Sequence, residues 1–121
     1  MIFHIRMGVP DMETLWNDMS RRYLGNTLDA SERKFFKKFI KALDLLRNNP
    51  RHNSLETHEI EVLSKRYGVK VFQSYLENKT PAAGRIFWAY GPGKAEMTIL
   101  ALEPHPEKKG YDKVKLSGIP N

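Results

Sequence analysis

The sequence predicts an α+β domain in which two N-terminal helices pack on one face of a small, twisted, mostly antiparallel sheet. Two segments before Pro50 repeat their apolar side chains at helical spacing. Three later segments, VKVFQSYL, RIFWAY and MTILAL, have the β-branched and aromatic content of strands and are separated by turn residues. Runs of helices followed by runs of strands are typical of α+β folds, so we expect a strand, two helices and then three or four strands in a meander.

One strand and one helix are expected at the N-terminus. The stretch IFHIR, which precedes Gly8, has the composition of a short strand. From Asp11, which is placed to cap the first turn, the apolar period becomes helical, and Gly25 is placed to end the helix. The apolar side chains of this helix are Met12, Leu15, Trp16, Met19, Tyr23 and Leu24.

The second helix has a clearer beginning. Asp29 and Glu32 have the spacing of a capping box, and the helical pattern stops before Pro50. Lysines occupy the remaining faces, which is the usual composition of a solvated helix surface. The apolar stripe consists of Phe35, Phe36, Phe39, Ile40, Leu43 and Leu46.

Residues 54–66 fit either a helical turn or a strand. The spacing of Ile60 and Leu63 allows a helical turn, whereas the alternation over residues 58–62 allows a strand. We expect a strand that ends in a turn at Lys65–Gly68.

The last two predicted strands are expected to form a hairpin. RIFWAY covers residues 85–90, MTILAL covers residues 97–102, and the segment between them contains Gly91-Pro92-Gly93-Lys94. A phosphate-binding loop would need an earlier glycine and a serine or threonine directly after the lysine, and both are missing. The segment is therefore interpreted as a turn.

The composition is that of an ordinary globular protein with a basic balance. The 121 residues suit a single domain, 1–121, with 40% hydrophobic and 28% charged residues. The final stretch EKKGYDKVKLSGIPN, residues 107–121, is basic and poorly periodic, which fits a flexible tail over residues 110–121, a short edge strand or a segment ordered by a partner. No apolar stretch has the length of a membrane span or a signal peptide, so a cytoplasmic location is expected.

The charge and the absence of cysteine limit the possible functions. There are 20 Lys and Arg against 14 Asp and Glu, and the net charge of +6 suits RNA, DNA or an acidic partner, although many small basic proteins bind no nucleic acid. Without cysteine there are neither disulfides nor thiolate metal sites. The four histidines do not have metal-ligand spacing, so neither a metal nor a cofactor is expected.

Arginine, histidine and a carboxylate are expected to meet at the open end of the hairpin. If the two strands pair antiparallel, Arg85 lies beside the segment after Leu102, which contains His105, and Glu77 ends the preceding strand. Such a group can cleave RNA without a metal, since a base takes the 2′-OH proton, arginine stabilises the phosphorane charge and an acid protonates the leaving oxygen. Alternatively, Arg85 and Glu77 form only a surface ion pair and His105 merely ends a strand.

The order and spacing of several segments resemble the RelE/ParE superfamily of bacterial toxins from type II toxin-antitoxin modules. The resemblance covers residues 35–107, through NPRHNSLETH, VFQSYLENKTPAAGRIFWAY and MTILALEPHP. Its marks are a β-α-α-β-β-β plan, an arginine that opens the central strand (Arg85) and a histidine just after the next strand (His105).

This resemblance implies a small cytoplasmic bacterial toxin that a cognate antitoxin neutralises by wrapping it with a helix or an extended segment. RelE-like members enter the ribosomal A site and cut mRNA without metal, whereas ParE-like members inhibit DNA gyrase. A third possibility is a repurposed, non-toxic binding protein with the same fold. The chain departs from the nuclease pattern in its largely apolar sheet, which contains Phe72, Phe87, Trp88 and Tyr90.

The resemblance also implies roles for individual residues. Arg85 corresponds to the arginine that contacts the scissile phosphate, and His105 to the late histidine that acts as acid or base. Glu77 is near the position of a general base, and Tyr111 stands where other members have a C-terminal catalytic tyrosine. Phosphate contacts that position RNA are assigned to Lys65, Arg66 and Lys70, which alternatively only solubilise a turn.

Overall fold

The computed structural model describes residues 2–77 and 84–103. In this part of the chain three helices and a five-stranded mixed sheet confirm the α+β class. The elements are β1 (His4–Arg6), α1 (Pro10–Leu24), α2 (Ala30–Asn48), a 3₁₀ helix (Asn53–Leu55), β2 (His58–Glu59), α3 (Glu61–Tyr67), β3 (Phe72–Tyr75), β4 (Arg85–Tyr90) and β5 (Glu96–Glu103).

The strand order is β1-β5-β4-β3-β2, so β4 is the central strand of the described sheet. The pairs β2–β3, β3–β4 and β4–β5 are antiparallel, as the predicted meander requires. β1 differs, because it runs parallel to β5 at the edge. No helix within the described ranges is long and apolar enough to cross a bilayer.

The strand predicted over residues 54–66 is wrong for most of its length. Only His58 and Glu59 pair as a strand, and Glu61–Tyr67 forms α3. Ile60, Leu63 and Tyr67 pack against the core at helical spacing. Val62, which belongs to the alternating pattern over residues 58–62, is 66% exposed. The short apolar pattern fitted both periods, and packing against the core selected the helix.

The two N-terminal helices agree with the prediction except at the beginning of α1 and at two residues of the predicted apolar faces, Leu24 and Ile40, which are 85% and 39% exposed. Asp29 and Glu32 form the expected capping box of α2, with the Glu32 amide donating to the Asp29 carboxylate at 2.8 Å. In α1 the N-cap is Val9 and Pro10 is the first helical residue, so Asp11 lies within the first turn and makes no capping hydrogen bond. Proline suits this position because its fixed φ is already helical and no N–H is lost.

The helices cover one face of the sheet, which we call the helix-covered face. A groove of about 490 Å³ lies between β1, α1 and α2 and is lined in part by Phe3, Ile5, Trp16 and Leu43. The Phe3 amide also donates to the Arg47 carbonyl of α2 at 2.9 Å. Phe3 and Ile5 alternate with His4 and Arg6 along the chain, so these latter two belong to the opposite face.

Strand pairing extends the helix-covered face across the sheet. Ile5 pairs with Met97, and Met97 pairs with Tyr90. Residues paired in register share a face and successive residues alternate, so Tyr90, Trp88 and Ile86 point towards the helices. Met97, Trp88 and Ile86 are fully buried on this face, and Phe87, which alternates with them, is fully buried on the opposite face.

Trp88 is the largest fully buried side chain of the described core. Its ring stacks on Phe72 with the centroids 4.9 Å apart, and its Nε1 donates to the Ser74 hydroxyl at 2.8 Å. The Ser74 hydroxyl also lies 2.7 Å from that of Thr57. The polar edge of the indole is therefore satisfied inside an apolar layer.

Candidate functional site

Arg85 opens the central strand on the face opposite the helices. Its neighbours in register are Tyr75 on β3 and Glu103 on β5. Since Arg85 is one residue from Ile86, whose side chain points towards the helices, all three members of this row lie on the other face.

Arg85 and Glu103 form an ion pair between their side chains. The Glu103 side chain is 9% exposed and that of Arg85 is 26% exposed. A buried carboxylate needs a cation or several hydrogen bonds in place of water, and a guanidinium supplies both. The second carboxylate oxygen, Oε2, is buried and has no hydrogen-bond partner among residues 2–77 and 84–103.

A bulge in the hairpin brings Glu103 opposite Arg85. From the turn, Tyr90 pairs with Met97 and Trp88 with Ile99, but Phe87 pairs with Ala101, so Leu100 is an extra residue in β5. Without this shift, continuation of the register from the turn would place Leu102 opposite Arg85. A one-residue shift exchanges the faces of a strand, and the bulge therefore selects the acidic side chain.

The side chains of Tyr75 and His58 continue the row that begins with Glu103 and Arg85 as far as the outer strand, β2. His58 pairs with Gln73, so it shares a face with Gln73 and Tyr75. The His58 and Tyr75 ring centroids are 6.5 Å apart with an interplanar angle of 34°. We call Glu103, Arg85, Tyr75 and His58 the polar row. It runs from buried Glu103 through half-buried Arg85 and Tyr75 to exposed His58.

Glu77, the carboxylate that was predicted to lie beside Arg85, forms an ion pair with Lys38 of α2. The Lys38 ammonium donates to Glu77 Oε1 at 2.8 Å, and the two side chains are 33% and 41% exposed. The carboxylate that meets Arg85 is instead Glu103. Catalysis by Glu77 stays a prediction that this pairing does not test.

The three predicted phosphate-contacting residues lie near the β2–β3 side of the sheet. Lys65 and Arg66 form the last turn of α3, the helix that joins β2 to β3, and Lys70 follows that helix. All three are exposed, and the Arg66 guanidinium lies 6.0 Å from the centre of the Tyr67 ring. They are therefore positive charges in the connection that follows β2, the strand of His58.

His105 and Tyr111 lie outside the described residues, and their predicted roles stay predictions. Sequence reasoning missed Glu103, Tyr75 and His58. The alternation of VKVFQSYL could have identified Tyr75, because it puts Tyr75 on the same side of the strand as Gln73. No local sequence pattern predicts the bulge that brings Glu103 opposite Arg85.

The polar row can bind an anionic, ring-containing ligand. A guanidinium can hold a phosphate by two parallel hydrogen bonds, and the neighbouring rings can stack on planar groups. Residues 2–77 and 84–103 contain no group of three or more His, Asp or Glu side chains arranged to hold a metal ion. The groove beside β1 lies on the helix-covered face, away from the polar row.

Comparison of the chain with protein-family models, with curated proteins and with solved structures gave no match. The chemistry assigned to the polar row therefore rests on its geometry and on the sequence.

Proposed function

We propose that this protein is a RelE-like toxin of a type II toxin-antitoxin module that cleaves mRNA on the ribosome without a metal ion. The observation that carries the proposal is the position of Arg85, which opens the central strand on the face opposite the helices, with a tyrosine beside it on β3. The net charge of +6 favours a polyanionic substrate. A cognate antitoxin and translated mRNA are the corresponding partners.

The proposed reaction is an internal transesterification of RNA. The 2′-oxygen attacks the adjacent phosphorus as a base removes its proton, the bond to the 5′-oxygen breaks, and an acid protonates that oxygen. Arg85 stabilises the charge that develops on the phosphoryl oxygens. His105 acts as acid or base, and Glu77 or Tyr111 supplies the partner group.

The Arg85–Glu103 ion pair favours a second candidate, a ParE-like inhibitor of DNA gyrase that has no catalytic site. A carboxylate in contact with the guanidinium neutralises its charge and repels an approaching phosphate. A catalytic Arg85 has to exchange Glu103 for the phosphate, whereas in a binding protein the ion pair only holds β4 and β5 together.

Induced expression in a bacterial host with mapping of RNA 5′ ends tests the proposal. We expect growth arrest, with new 5′ ends inside translated codons. Arg85→Lys keeps a positive charge beside Glu103 but loses the bidentate donors, and we expect it to lower cleavage by about 100-fold or more. Arg6→Lys is the matched control, because Arg6 lies on the same face in β1, where it donates to Thr98 at 3.0 Å.

The outcomes separate the candidates. Folded Arg85→Lys and His105→Ala proteins that arrest growth as strongly as the wild type would exclude the nuclease. Intact mRNA together with stalled replication would indicate the gyrase inhibitor, and normal growth would indicate a repurposed, non-toxic RelE-fold protein. An adjacent reading frame whose product binds the chain and relieves the arrest would support the toxin-antitoxin assignment.

A further inference from the structure

His58 and Tyr75 have no part in the cleavage chemistry proposed above, although they adjoin Arg85. His58 is exposed on β2, the last strand in the described sheet order, and Tyr75 is half-buried on β3. Their rings lie side by side on the face opposite the helices, with the centroids 6.5 Å apart and a tilt of 34°.

The backbone holds the His58 ring in this orientation. His58 Nδ1 lies 3.1 Å from the carbonyl of Glu56, and because a carbonyl only accepts, the ring donates there. Glu56 itself has a φ of 48°, in the left-handed region, at the end of the 3₁₀ helix. The ring is thus positioned before any ligand arrives, which lowers the entropy lost on binding.

These two rings differ from the aromatic side chains of the core. Phe72 stacks on Trp88, and the Trp88 and Tyr90 rings meet edge to face with the centroids 4.9 Å apart, on the helix-covered face. Those contacts account for Phe72, Trp88 and Tyr90, whereas Phe87, whose register puts it on the face opposite the helices, is fully buried. The His58–Tyr75 pair also lies on the face opposite the helices, and its outer member is exposed to solvent.

Single-stranded RNA has the chemistry that this surface would recognise. Proteins that bind single strands stack the bases on aromatic side chains of a sheet and hold the phosphates with neighbouring cations. Tyr75 pairs directly with Arg85 across one strand spacing, about 4.8 Å. A base on the rings therefore brings its backbone phosphate within reach of the guanidinium. Exposed Lys65, Arg66 and Lys70 lie in the connection from β2 to β3, which enters β3 at Phe72, the end away from Tyr75.

We propose that His58 and Tyr75 form a stacking platform for the bases of single-stranded RNA and hold the strand so that a phosphate meets Arg85. His58 and Tyr75 would thus be substrate-binding residues of the nuclease, and this inference rests on the proposed function. Duplex RNA is excluded, because paired bases do not offer their faces to a sheet surface.

The test measures binding of the purified full-length chain to a fluorescent 2′-O-methyl oligouridylate of about eight nucleotides, which resists cleavage. Three competitors are compared: the oligouridylate, a ribose-phosphate oligomer of equal length without bases, and a duplex of equal length. We expect His58→Ala and Tyr75→Leu each to weaken binding about five- to 150-fold. Tyr75→Phe and His58→Phe keep a ring and should retain most of the affinity.

His4→Ala is the matched control. His4 is an exposed histidine of the opposite edge strand, β1, on the same face of the sheet. Its replacement should leave binding unchanged. Circular dichroism establishes that each variant is folded, and because His58 is exposed in a two-residue strand, His58→Ala tests the platform even if Tyr75→Leu unfolds.

Equal binding of the wild type, His58→Ala and folded Tyr75→Leu would overturn the platform. An equal loss of affinity for the oligomer without bases, or competition by duplex as strong as by single strands, would also overturn it. Ring-dependent binding together with intact mRNA in cells would support the platform and exclude the nuclease. If the His58→Ala protein binds the oligomer as well as the wild type does and still cleaves mRNA within codons in cells, the nuclease proposal stands and the platform is excluded.

Discussion

In the proposed reaction the Arg85 guanidinium has to bind two anions in turn. In the structure it pairs with the buried carboxylate of Glu103, and in the proposed reaction it binds a phosphate. The same donors cannot serve both anions fully, so the strength of the ion pair influences how readily Arg85 engages RNA. Under the proposed function, stability and cleavage activity depend on the same two side chains.

Removal of either ion-pair partner should destabilise the protein unequally. We expect Arg85→Leu to lower the free energy of unfolding by about 3 kcal/mol, because the Glu103 carboxylate is left buried without its cation. Glu103→Leu should cost less, about 1–2 kcal/mol, since Arg85 is 26% exposed and its charge retains access to water. Urea unfolding of both variants measures the difference.

The double variant Arg85→Leu/Glu103→Leu provides the control for this pair. Replacement of both charges by apolar groups removes the buried charge as well as its partner, so its stability should lie within about 1 kcal/mol of the wild type. Additive losses in the double variant would contradict a direct coupling between the two side chains.

At the scale of elements, the beginning of each long helix depends on a few local residues. α2 begins with a reciprocal capping box between Asp29 and Glu32, in which the Asp29 amide also donates to the Glu32 carboxylate at 3.1 Å. α1 begins with Pro10 and no side-chain cap. The same residue type, aspartate, thus accepts a capping hydrogen bond in one helix and only lies in the first turn in the other.

This difference predicts unequal effects of the same substitution. Asp29→Ala should lower the free energy of unfolding by about 1 kcal/mol, because the Glu32 amide loses its acceptor. Asp11→Ala, the matched control, should cost about 0.3–0.5 kcal/mol, since an exposed aspartate there interacts only with the helix dipole. Equal losses in urea unfolding would mean that the capping hydrogen bond contributes nothing to stability.

α3 illustrates the limit of periodicity as a predictor of elements. Over residues 58–63 the apolar positions fit a strand and a helical turn equally well, and the strand was the wrong choice. The helix forms because it brings Ile60, Leu63 and Tyr67 to the core. Long patterns such as that of α2 left no such ambiguity, because many turns had to agree.

At the scale of the whole molecule, the proposed RNA binding by a chain with a net charge of +6 should weaken with salt. Each cation that contacts a phosphate of a single strand contributes about 0.7 to the slope of log K against log salt. If Lys65, Arg66 and Lys70 all contact phosphates, their joint replacement by alanine should lower this slope by about 2. Titration of the cleavage-resistant oligouridylate at several salt concentrations measures it.

Three exposed lysines of α2 supply the control. Lys34, Lys37 and Lys41 carry the same total charge as the tested set, and Lys38 is left out because it pairs with Glu77. Their replacement should change the slope much less than replacement of the tested set. Equal changes in the two triple variants would indicate that only net charge matters and that Lys65, Arg66 and Lys70 do not position RNA.

Much of the fold follows from interactions between residues close in the chain. The end of α2, its capping box, the strand β4 and the turn of the hairpin were predicted from the sequence and agree with the structure. The strand predicted over residues 69–76 forms only at Phe72–Tyr75, and the predicted stripe of α2 is buried or half-buried except at Ile40. Each depends on period, capping or turn chemistry within a short segment. Arg85 was likewise identified as the residue that opens the central strand.

Pairings between distant segments were decided only by the tertiary structure. β1 adds in parallel to β5, and the bulge at Phe87/Trp88 turns Glu103 rather than Leu102 towards Arg85. His58 reaches Tyr75 because β2 pairs with β3. No local pattern encodes these contacts, because register and face are set by how the whole core packs, and a shift of one residue changes which side chains meet.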